Sequence, residues 1–265
     1  MQLVSVIITT FNSEKYIRKT IESVQSQSYS HIEIIVVDDF SSDNTCRIIK
    51  DISFTDPRVK LIELSKNHGG PAGPRNIGVS NAAGQWICFL DADDLWHSSK
   101  LSIQLDVLKK TGKFFCCTKK RIFNEHKEFN CNEQLSNKKP NFYLNFRQQC
   151  SKNRIPTSSV LISSFLLKLN PFNESPHYHA VEDMQCWLQI LESGKKCLFI
   201  NLPLVGYRIN ENQISRNKLA MAKKFYMVIN NYKLKSGEGF GWKKYLYFLE
   251  YCFYSILFVF INKFS

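Results

Sequence analysis

Two kinds of segment alternate along the first hundred residues of the chain, and they differ in the spacing of their apolar residues. Short runs rich in β-branched residues are typical of strands, whereas apolar residues that recur every three or four positions are typical of helices. The strands predicted in this way are residues 4–10, 33–37, 58–63 and 86–90. Because a helical segment separates each strand from the next, the pattern predicts a parallel, doubly wound α/β sheet.

Capping and turn residues predict where the intervening helices begin and end. The first helix has apolar residues at helical spacing over 16–24, with Asn12 or Ser13 near its cap. A short helix then runs through Ile52. The third helix is expected to begin at Pro74 and to end at Gly84, since proline suits the first turn and glycine the end.

The second half of the chain has fewer clear elements. We predict strands and helices over 98–111 (a helix ending at Gly112), 114–118 (a strand), 158–163 (a strand) and 182–194 (a helix). The last helix carries a stripe that is expected to pack in the core, formed by Met184, Trp187, Leu188 and Leu191. Residues 119–155 are polar and basic without a sustained period, which predicts a long loop or an excursion over the mouth of the site.

Three carboxylates follow the apolar strand that begins at Trp86. Charged groups are excluded from a core, so Asp91, Asp93 and Asp94 are expected at the carboxyl end of the strand, where open α/β sheets bind ligands. Crowded carboxylates repel one another unless a cation lies between them, which suggests that Asp91 and Asp93 bind Mg²⁺ or Mn²⁺. The alternative is an acidic turn that caps the following helix.

Composition limits the classes of partner. A chain of 265 residues can form one large domain or one domain with an appendage. The net charge is +12, and residues 208–265 contain ten Lys or Arg against three Glu, so the basic character is concentrated near the end and favours an anionic partner. The nine cysteines lack Cys-x-x-Cys spacing and no signal peptide precedes the first strand, so we expect reduced thiols in a cytosolic protein and no zinc site.

Four motifs in a fixed order resemble one enzyme family. They are Val-Ser-Val-Ile-Ile-Thr-Thr-Phe-Asn at 4–12, Val-Val-Asp-Asp-Phe-Ser-Ser-Asp-Asn-Thr at 36–45, Asn67-x-Gly69 with Arg75-Asn76-x-Gly78, and Phe-Leu-Asp-Ala-Asp-Asp at 89–94. Their order and spacing are similar to family two of the inverting glycosyltransferases, of the bacterial surface-polysaccharide type, over about residues 3–210. The resemblance implies the GT-A fold, a Rossmann-like, mostly parallel sheet flanked by helices, here with a C-terminal helical extension.

The resemblance also implies a reaction. The family transfers a sugar, with inversion, from a nucleotide diphosphate donor, here expected to be a UDP-sugar, to a hydroxyl of a growing surface polysaccharide or lipid-linked glycan. Asp183 matches the position of the general base, which would take the proton of the acceptor hydroxyl. Asp91 and Asp93 match the Asp-x-Asp (DXD) motif, which would hold Mn²⁺ or Mg²⁺ beside the leaving diphosphate. For Glu182 and Asp183 the alternative is stabilisation of a helix N-terminus.

Further positions match residues that bind the donor in the family. Thr9 and Phe11 would line the nucleoside pocket, and Asp39 would accept a hydrogen bond from the imide N–H of uracil. Asn67 and Arg75 resemble positions near the base and the ribose-phosphate, and Asp91 would reach the ribose as well as the metal. The alternative for Arg75 is an exposed helix charge, and Asp38 and Asp94 are expected to be structural. The chain departs from many members at Asn210, where they carry a histidine, so a third protein ligand for the metal is in doubt.

The chain is predicted to divide into a catalytic domain at 1–210, with a variable acceptor side at 119–155, and a basic, aromatic helical tail at 211–265. The uncharged run Tyr251–Ile261 is too short to span a bilayer core of about 30 Å. Residues 242–265 would suit an anionic membrane surface, which implies a peripheral protein on the inner face of the cytoplasmic membrane. Alternatively they pack on the catalytic domain or on a second copy; nucleic acid is not expected.

Two other functions fit parts of the pattern. One is a non-catalytic scaffold that binds nucleotide sugars in a membrane assembly for glycan synthesis. The other is a nucleotidyltransferase on a similar sheet, which would need a glycine-rich, Lys- or Arg-bearing phosphate loop after the first strand. The sequence there is Phe-Asn-Ser-Glu at 11–14.

Overall fold

The computed structural model describes residues 2–124, 128–136, 139–209 and 217–263, with side chains described as far as residue 257. Its strands are β1 Val4–Thr10, β2 Ile32–Asp38, β3 Val59–Glu63, β4 Trp86–Asp91, β5 Leu95–Trp96, β6 Phe115–Phe123, β7 Phe142–Leu144, β8 Leu161–Ser163 and β9 Cys197–Arg208. Its helices are α1 Ile17–Gln25, α2 Thr45–Thr55, α3 Ala72–Asn81, α4 Lys100–Thr111, α5 Phe146–Ser151, α6 Ser164–Lys168, α7 Glu182–Glu192, α8 Lys218–Asn231 and α9 Lys243–Lys263.

All of these strands belong to one sheet in the order β3-β2-β1-β4-β8-β6-β9-β5, and β7 pairs with β9. The first four pair in parallel, as the sequence predicts, whereas β8 runs antiparallel to both β4 and β6. Because β1 and β4 are adjacent and parallel, Thr9 lies directly beside Asp91. The polar residues that follow these two strands therefore meet at one edge of the sheet.

The sheet is covered on both faces, which explains why its first strands are mostly apolar. In β1, Val6 and Ile8 pack on one side with Ile21 of α1, whereas Ile7 packs on the other side with Val79 of α3. Side chains alternate between the two faces of a strand, so each face receives every second residue. Complete burial of such a side chain contributes about 1.5–3 kcal/mol to folding.

A separate core joins the C-terminal helices to the part of the chain that contains the sheet. Met184 and Leu188 of α7 pack with Phe225 and Val228 of α8 and with Tyr247 of α9. The other side of α7 faces the main sheet through Trp187. The predicted core stripe of this helix and the helical C-terminal segment are both confirmed. The division at 210/211 stays a prediction, because residues 210–216 lie outside the described residues.

The predicted start of α1 is wrong by several residues. Neither Asn12 nor Ser13 caps the helix, which begins at Ile17 after Tyr16. Asn12 adopts a left-handed conformation with φ 47°, and its side-chain oxygen accepts a hydrogen bond from the Ser42 amide at 2.8 Å. The Asn12 side chain thus joins two loops instead of capping α1.

The predicted ends of α3 are also wrong. Pro74 is the third residue of the helix, and the helix ends at Asn81 rather than at Gly84. Gly84 serves a close contact instead, because a Cβ atom there would lie 2.7 Å from the Ser5 nitrogen and 2.8 Å from the Leu3 oxygen. By contrast Gly112, with φ 63°, ends α4 as predicted.

Residues 119–155 contain more regular structure than the sequence predicts. The strand predicted over 114–118 continues as β6 to Phe123, with irregular pairing to β9 on both sides of Lys119. The strand β7 and the helix α5 follow, and Asn145 and Gln148 form a capping box at the start of α5. The strand predicted over 158–163 begins only at Leu161, because Thr157–Ser159 forms a 3₁₀ turn. Pairing with β9, which is distant in sequence, orders this polar segment.

Within the described residues, none of the helices has both the length and the apolar character needed to cross a membrane.

Candidate active site

A cavity of about 370 Å³ lies at the carboxyl ends of β1 and β2. Four residues of the predicted donor site line it, namely Thr9, Phe11, Asp39 and Asn67. The opposite wall contains Gly69, Gly70, Pro71, Pro74 and His179. The fold thus brings these four residues together, although they come from the end of β1 and from the segments that follow β1, β2 and β3.

Hydrogen bonds fix the acidic side of this cavity. The Oδ1 atom of Asp39 accepts a hydrogen bond from the His68 amide at 2.8 Å, and the Asn67 side chain donates to the Asp39 carbonyl at 3.0 Å. Burial raises the pKa of Asp39 above its usual value. The side-chain oxygen of Asn67 accepts from the Gly69 amide at 2.6 Å, so both ends of its amide group position the loop.

His179, which the sequence analysis did not single out, forms part of the cavity wall. Its ring packs directly on Gly70, where a Cβ atom would lie 2.4 Å from Nδ1 of the histidine. The next residue, Ala180, has φ 69°, which is unusual for a residue with a side chain. The ammonium group of Lys224 in α8 donates to the His179 carbonyl and holds this turn in place.

Arg75 is buried between two carboxylates. Its Nη2 atom lies 2.9 Å from Oδ1 of Asp91, and its Nη1 atom lies 2.7 Å from Oε1 of Glu182. The side chains of Arg75 and Glu182 are only 5% and 4% exposed, whereas that of Asp91 is 38% exposed. The alternative of an exposed helix charge is therefore wrong, and Arg75 joins α3, β4 and α7.

Hydrogen bonds fix the buried side of the acidic turn after β4. Asp94 is buried, and its Oδ1 atom accepts from the Arg208 amide at 3.0 Å, while the Arg208 guanidinium donates to the Asp93 carbonyl at 2.9 Å. Burial, reinforced by the charges of Asp93 and Asp91, raises the pKa of Asp94 well above its usual value. The side chains of Asp91 and Asp93 stay partly exposed. Asp38, which is also buried, accepts two hydrogen bonds from Ser41.

Asp183 lies at the start of α7, next to Glu182. Its Oδ2 atom accepts hydrogen bonds from Thr157 at 2.9 Å and from Asn153 at 3.0 Å. Burial and the negative charge of Glu182 raise the pKa of Asp183 to about 6. A carboxylate with this pKa is suited to take up a proton near neutral pH. Because Glu182 bonds to Arg75, Asp183 lies on the same side of the molecule as Asp91.

Sequence reasoning missed three residues around these carboxylates, namely Lys120, Asn153 and Thr157. Burial lowers the pKa of Lys120, against the attraction of the Asp94, Asp91 and Asp183 carboxylates, so its ammonium group lies within their electrostatic field. Its Nζ atom is 3.4 Å from the centre of the Tyr207 ring. The sequence contains no periodic signal for these residues, because they follow or lie within the segment predicted as a loop.

The described part of the chain contains no cluster of three or more His, Cys, Asp or Glu side chains arranged to hold a metal ion. Asn210, the position at which the sequence departs from the family, lies outside the described residues. The hypothesis of a metal at Asp91 and Asp93 therefore concerns two protein ligands.

We predict that replacing Arg75 with methionine destabilises the fold. The variant leaves Glu182 buried without its cation, and breaking a buried ion pair in this way costs about 3–5 kcal/mol of unfolding free energy. Urea unfolding followed by tryptophan fluorescence measures the loss. Lys110→Met is the matched control, because its ion pair with Asp106 is exposed and such pairs contribute little. A loss for Arg75→Met as small as that of the control would contradict the prediction.

Residues 5–168 match the sequence profile of the family described as Glycosyl transferase family 2. The Escherichia coli protein WfgD, named UDP-Glc:alpha-D-GlcNAc-diphosphoundecaprenol beta-1,3-glucosyltransferase, is 34% identical over 239 residues, which cover 87% of this chain and 86% of WfgD.

Two solved structures share the fold. TarS 1-349 of S. aureus in complex with UDP-GlcNAc has a TM-score of 0.69 at 21% identity, over 95% of this chain and 72% of TarS. The mannosyltransferase PcManGT from Pyrobaculum calidifontis, in complex with GDP-Man and Mn²⁺, has a TM-score of 0.66 at 18% identity, over 85% of this chain and 62% of PcManGT. The predicted GT-A fold is confirmed, and with the profile match and the sequence identity to WfgD it follows that the chain belongs to glycosyl transferase family 2.

Proposed function

We propose that this glycosyltransferase moves a sugar, with inversion, from a UDP-sugar to a hydroxyl of a lipid-linked glycan. The observation that carries the proposal is the position of Asp183, a carboxylate whose pKa is raised to about 6, beside the Arg75–Asp91 pair. The names of WfgD and of the TarS complex support the choice of a UDP-sugar donor, and that of WfgD supports a sugar acceptor carried on diphosphoundecaprenol. Family membership favours this reaction over nucleotidyl transfer.

The cavity at β1 and β2 is proposed to bind the nucleoside of the donor. Thr9 and Phe11 would line it, and Asp39 would accept the hydrogen bond from the imide N–H of uracil. The His68 amide donates to the Asp39 carboxylate, and the Asn67 side chain donates to the Asp39 backbone carbonyl, so Asp39 is held in place before the donor binds. Arg75 is proposed to orient Asp91, which would then face the ribose.

Asp183 is proposed to act as the general base of a single displacement. It would accept the proton of the acceptor hydroxyl while that oxygen attacks the anomeric carbon from the side opposite the leaving diphosphate. One carboxylate suffices for this inverting reaction. The hydrogen bonds from Thr157 and Asn153 fix the direction in which Oδ2 of Asp183 faces.

The leaving diphosphate carries negative charge, and we propose that Mn²⁺ or Mg²⁺ held by Asp91 and Asp93 stabilises it. Two carboxylates are suitable ligands for such a metal, because Mg²⁺ is commonly held by one or two carboxylates together with substrate phosphates. Asp91 and Asp93, which stay partly exposed, offer these two carboxylates. The Mn²⁺ in the PcManGT complex is consistent with this choice of metal.

The pH dependence of turnover tests the role of Asp183. Since the base acts in its deprotonated form, kcat/KM is expected to rise with pH through about 6 and to level off above it. In Asp183→Asn, turnover should fall by about 10²- to 10⁴-fold and this rise should disappear, while UDP still binds. Released UDP is measured with a panel of UDP-sugars and a lipid-linked acceptor.

Asp106→Asn, an exposed change on α4, is the control and should keep the wild-type profile. Unchanged turnover in Asp183→Asn would exclude Asp183 as the base. A cellular phenotype that survives Asp183→Asn would instead support the non-catalytic scaffold.

Metal removal tests the second part of the mechanism. EDTA should abolish UDP release, and added Mn²⁺ or Mg²⁺ should restore it. Asp93→Asn should weaken Mn²⁺ binding by at least about 10- to 100-fold, because loss of a residue that only supports a metal ligand already has an effect of that size. Electron paramagnetic resonance with UDP present measures the binding. Full activity in EDTA would contradict the proposal.

The C-terminal helices are proposed to hold the enzyme on the inner face of the cytoplasmic membrane. One side of α9 packs on the protein through Tyr247, while the opposite side exposes Leu249 and Phe253, at 66% and 63%, in line with the exposed Trp242 before the helix. Lys243 and Lys244 begin this helix. An apolar helix face with aromatic and basic residues at its start suits the interface of an anionic bilayer.

Vesicle sedimentation tests this proposal. The double variant Leu249→Glu and Phe253→Glu should lose most binding to vesicles that contain anionic lipid, because it places charge on the face that would enter the interface. The control is Phe54→Glu on α2, a phenylalanine that is even more exposed, at 93%, on another part of the surface. If the double variant changes only the oligomeric state, the face is a contact with a second copy and the membrane proposal is wrong.

A further inference from the structure

A second cavity, of about 200 Å³, lies between α7 and the C-terminal helices. Its apolar wall includes Met221, Phe225 and Tyr251, of which the last two stack with ring centres 4.0 Å apart. Lys152 and Lys218 line its polar side. Apolar and cationic groups thus face the same space.

This cavity lies next to Asp183. Asn153, which also lines the cavity, donates a hydrogen bond to Oδ2 of Asp183 at 3.0 Å. Met184, in the apolar wall, donates its backbone amide to Oδ1 of Asp183 at 2.6 Å. A molecule in the cavity would therefore be separated from Asp183 by little more than one side chain.

The cations of this cavity belong to a larger positive cluster. The guanidinium of Arg154 and the ammonium of Lys152 lie 4.9 and 5.8 Å from the ring centre of Tyr254 in α9. Burial and the like charges of Arg154 and Lys218 lower the pKa of Lys152. A cavity lined by two lysines, with an arginine nearby, attracts an anion electrostatically.

We infer that this cavity binds the diphosphate and the first isoprene units of the acceptor lipid. The inference rests on the proposed function and extends it, since it assigns residues to the acceptor. Lys152 and Lys218 pair with the diphosphate, and Met221, Phe225 and Tyr251 contact the apolar chain.

The shape of such an acceptor agrees with this arrangement. Its reactive hydroxyl and its diphosphate are attached to the same sugar ring, so the diphosphate needs a site about one sugar away from the base. The lipid chain must also leave the enzyme toward a membrane. Tyr251 and Ser255 of α9 line the cavity, and α9 is the helix proposed to lie on the membrane.

Binding of farnesyl diphosphate to the full chain tests the inference without requiring turnover. The titration is performed by calorimetry with saturating UDP, so that the donor site is filled. The double variant Lys152→Gln and Lys218→Gln should bind farnesyl diphosphate at least about tenfold more weakly, because each lysine contributes a charge-assisted interaction. Lys223 is an exposed lysine on α8, the helix that also carries Lys218, and Lys223→Gln should bind farnesyl diphosphate like the wild type.

Two further ligands identify the source of affinity. Farnesol and inorganic diphosphate should each bind more weakly than farnesyl diphosphate, since each lacks half of the proposed contacts. Met221→Gln, which makes the apolar wall polar without adding charge, should weaken the binding of farnesyl diphosphate much more than that of inorganic diphosphate, and it provides a second variant if the double variant is unstable. Wild-type affinity in both variants, or displacement of the probe by UDP, would overturn the inference. A failure of donor turnover would contradict the proposed function but would leave this binding result independent of it.

Discussion

The buried guanidinium of Arg75 is the interaction on which the site depends. A buried cation is costly unless carboxylates compensate it, and here Asp91 and Glu182 do so from opposite sides. The three residues belong to α3, β4 and α7, so one group aligns the acidic turn with the start of a helix that is distant in sequence. Asp183 follows Glu182 directly, and its position is therefore coupled to that of Asp91.

The first half of the fold could be predicted from sequence because its signal is local. Strands buried on both faces are mostly apolar, and the helices between them carry an apolar stripe, so the order of the elements can be predicted directly from the sequence. The predicted helix ends were wrong where a residue typical of helix ends has another role in the structure. Asn12 has the side chain of a helix cap, but it accepts from Ser42 in a loop thirty residues away.

The candidate site was predictable only in part, for a related reason. The acidic turn and Asp183 stand in recognisable motifs, and the fold brings Thr9, Phe11, Asp39 and Asn67 to one cavity. The burial of Arg75 depends on the packing of three elements and has no signature in its own neighbourhood. Asn153 and Lys120 come from a polar segment whose course is fixed by pairing with β9, a contact between distant parts of the chain.

The bond between Lys224 and the carbonyl of His179 gives the C-terminal helices a second role. The ring of His179 forms part of the wall of the cavity at β1 and β2, while the lysine belongs to α8, which packs with α9. A shift of α8 would therefore move the His179 turn that lines the cavity, and this bond is one of the contacts that would transmit the movement. The position of the C-terminal helices and the shape of the cavity are thereby mechanically connected in one polypeptide.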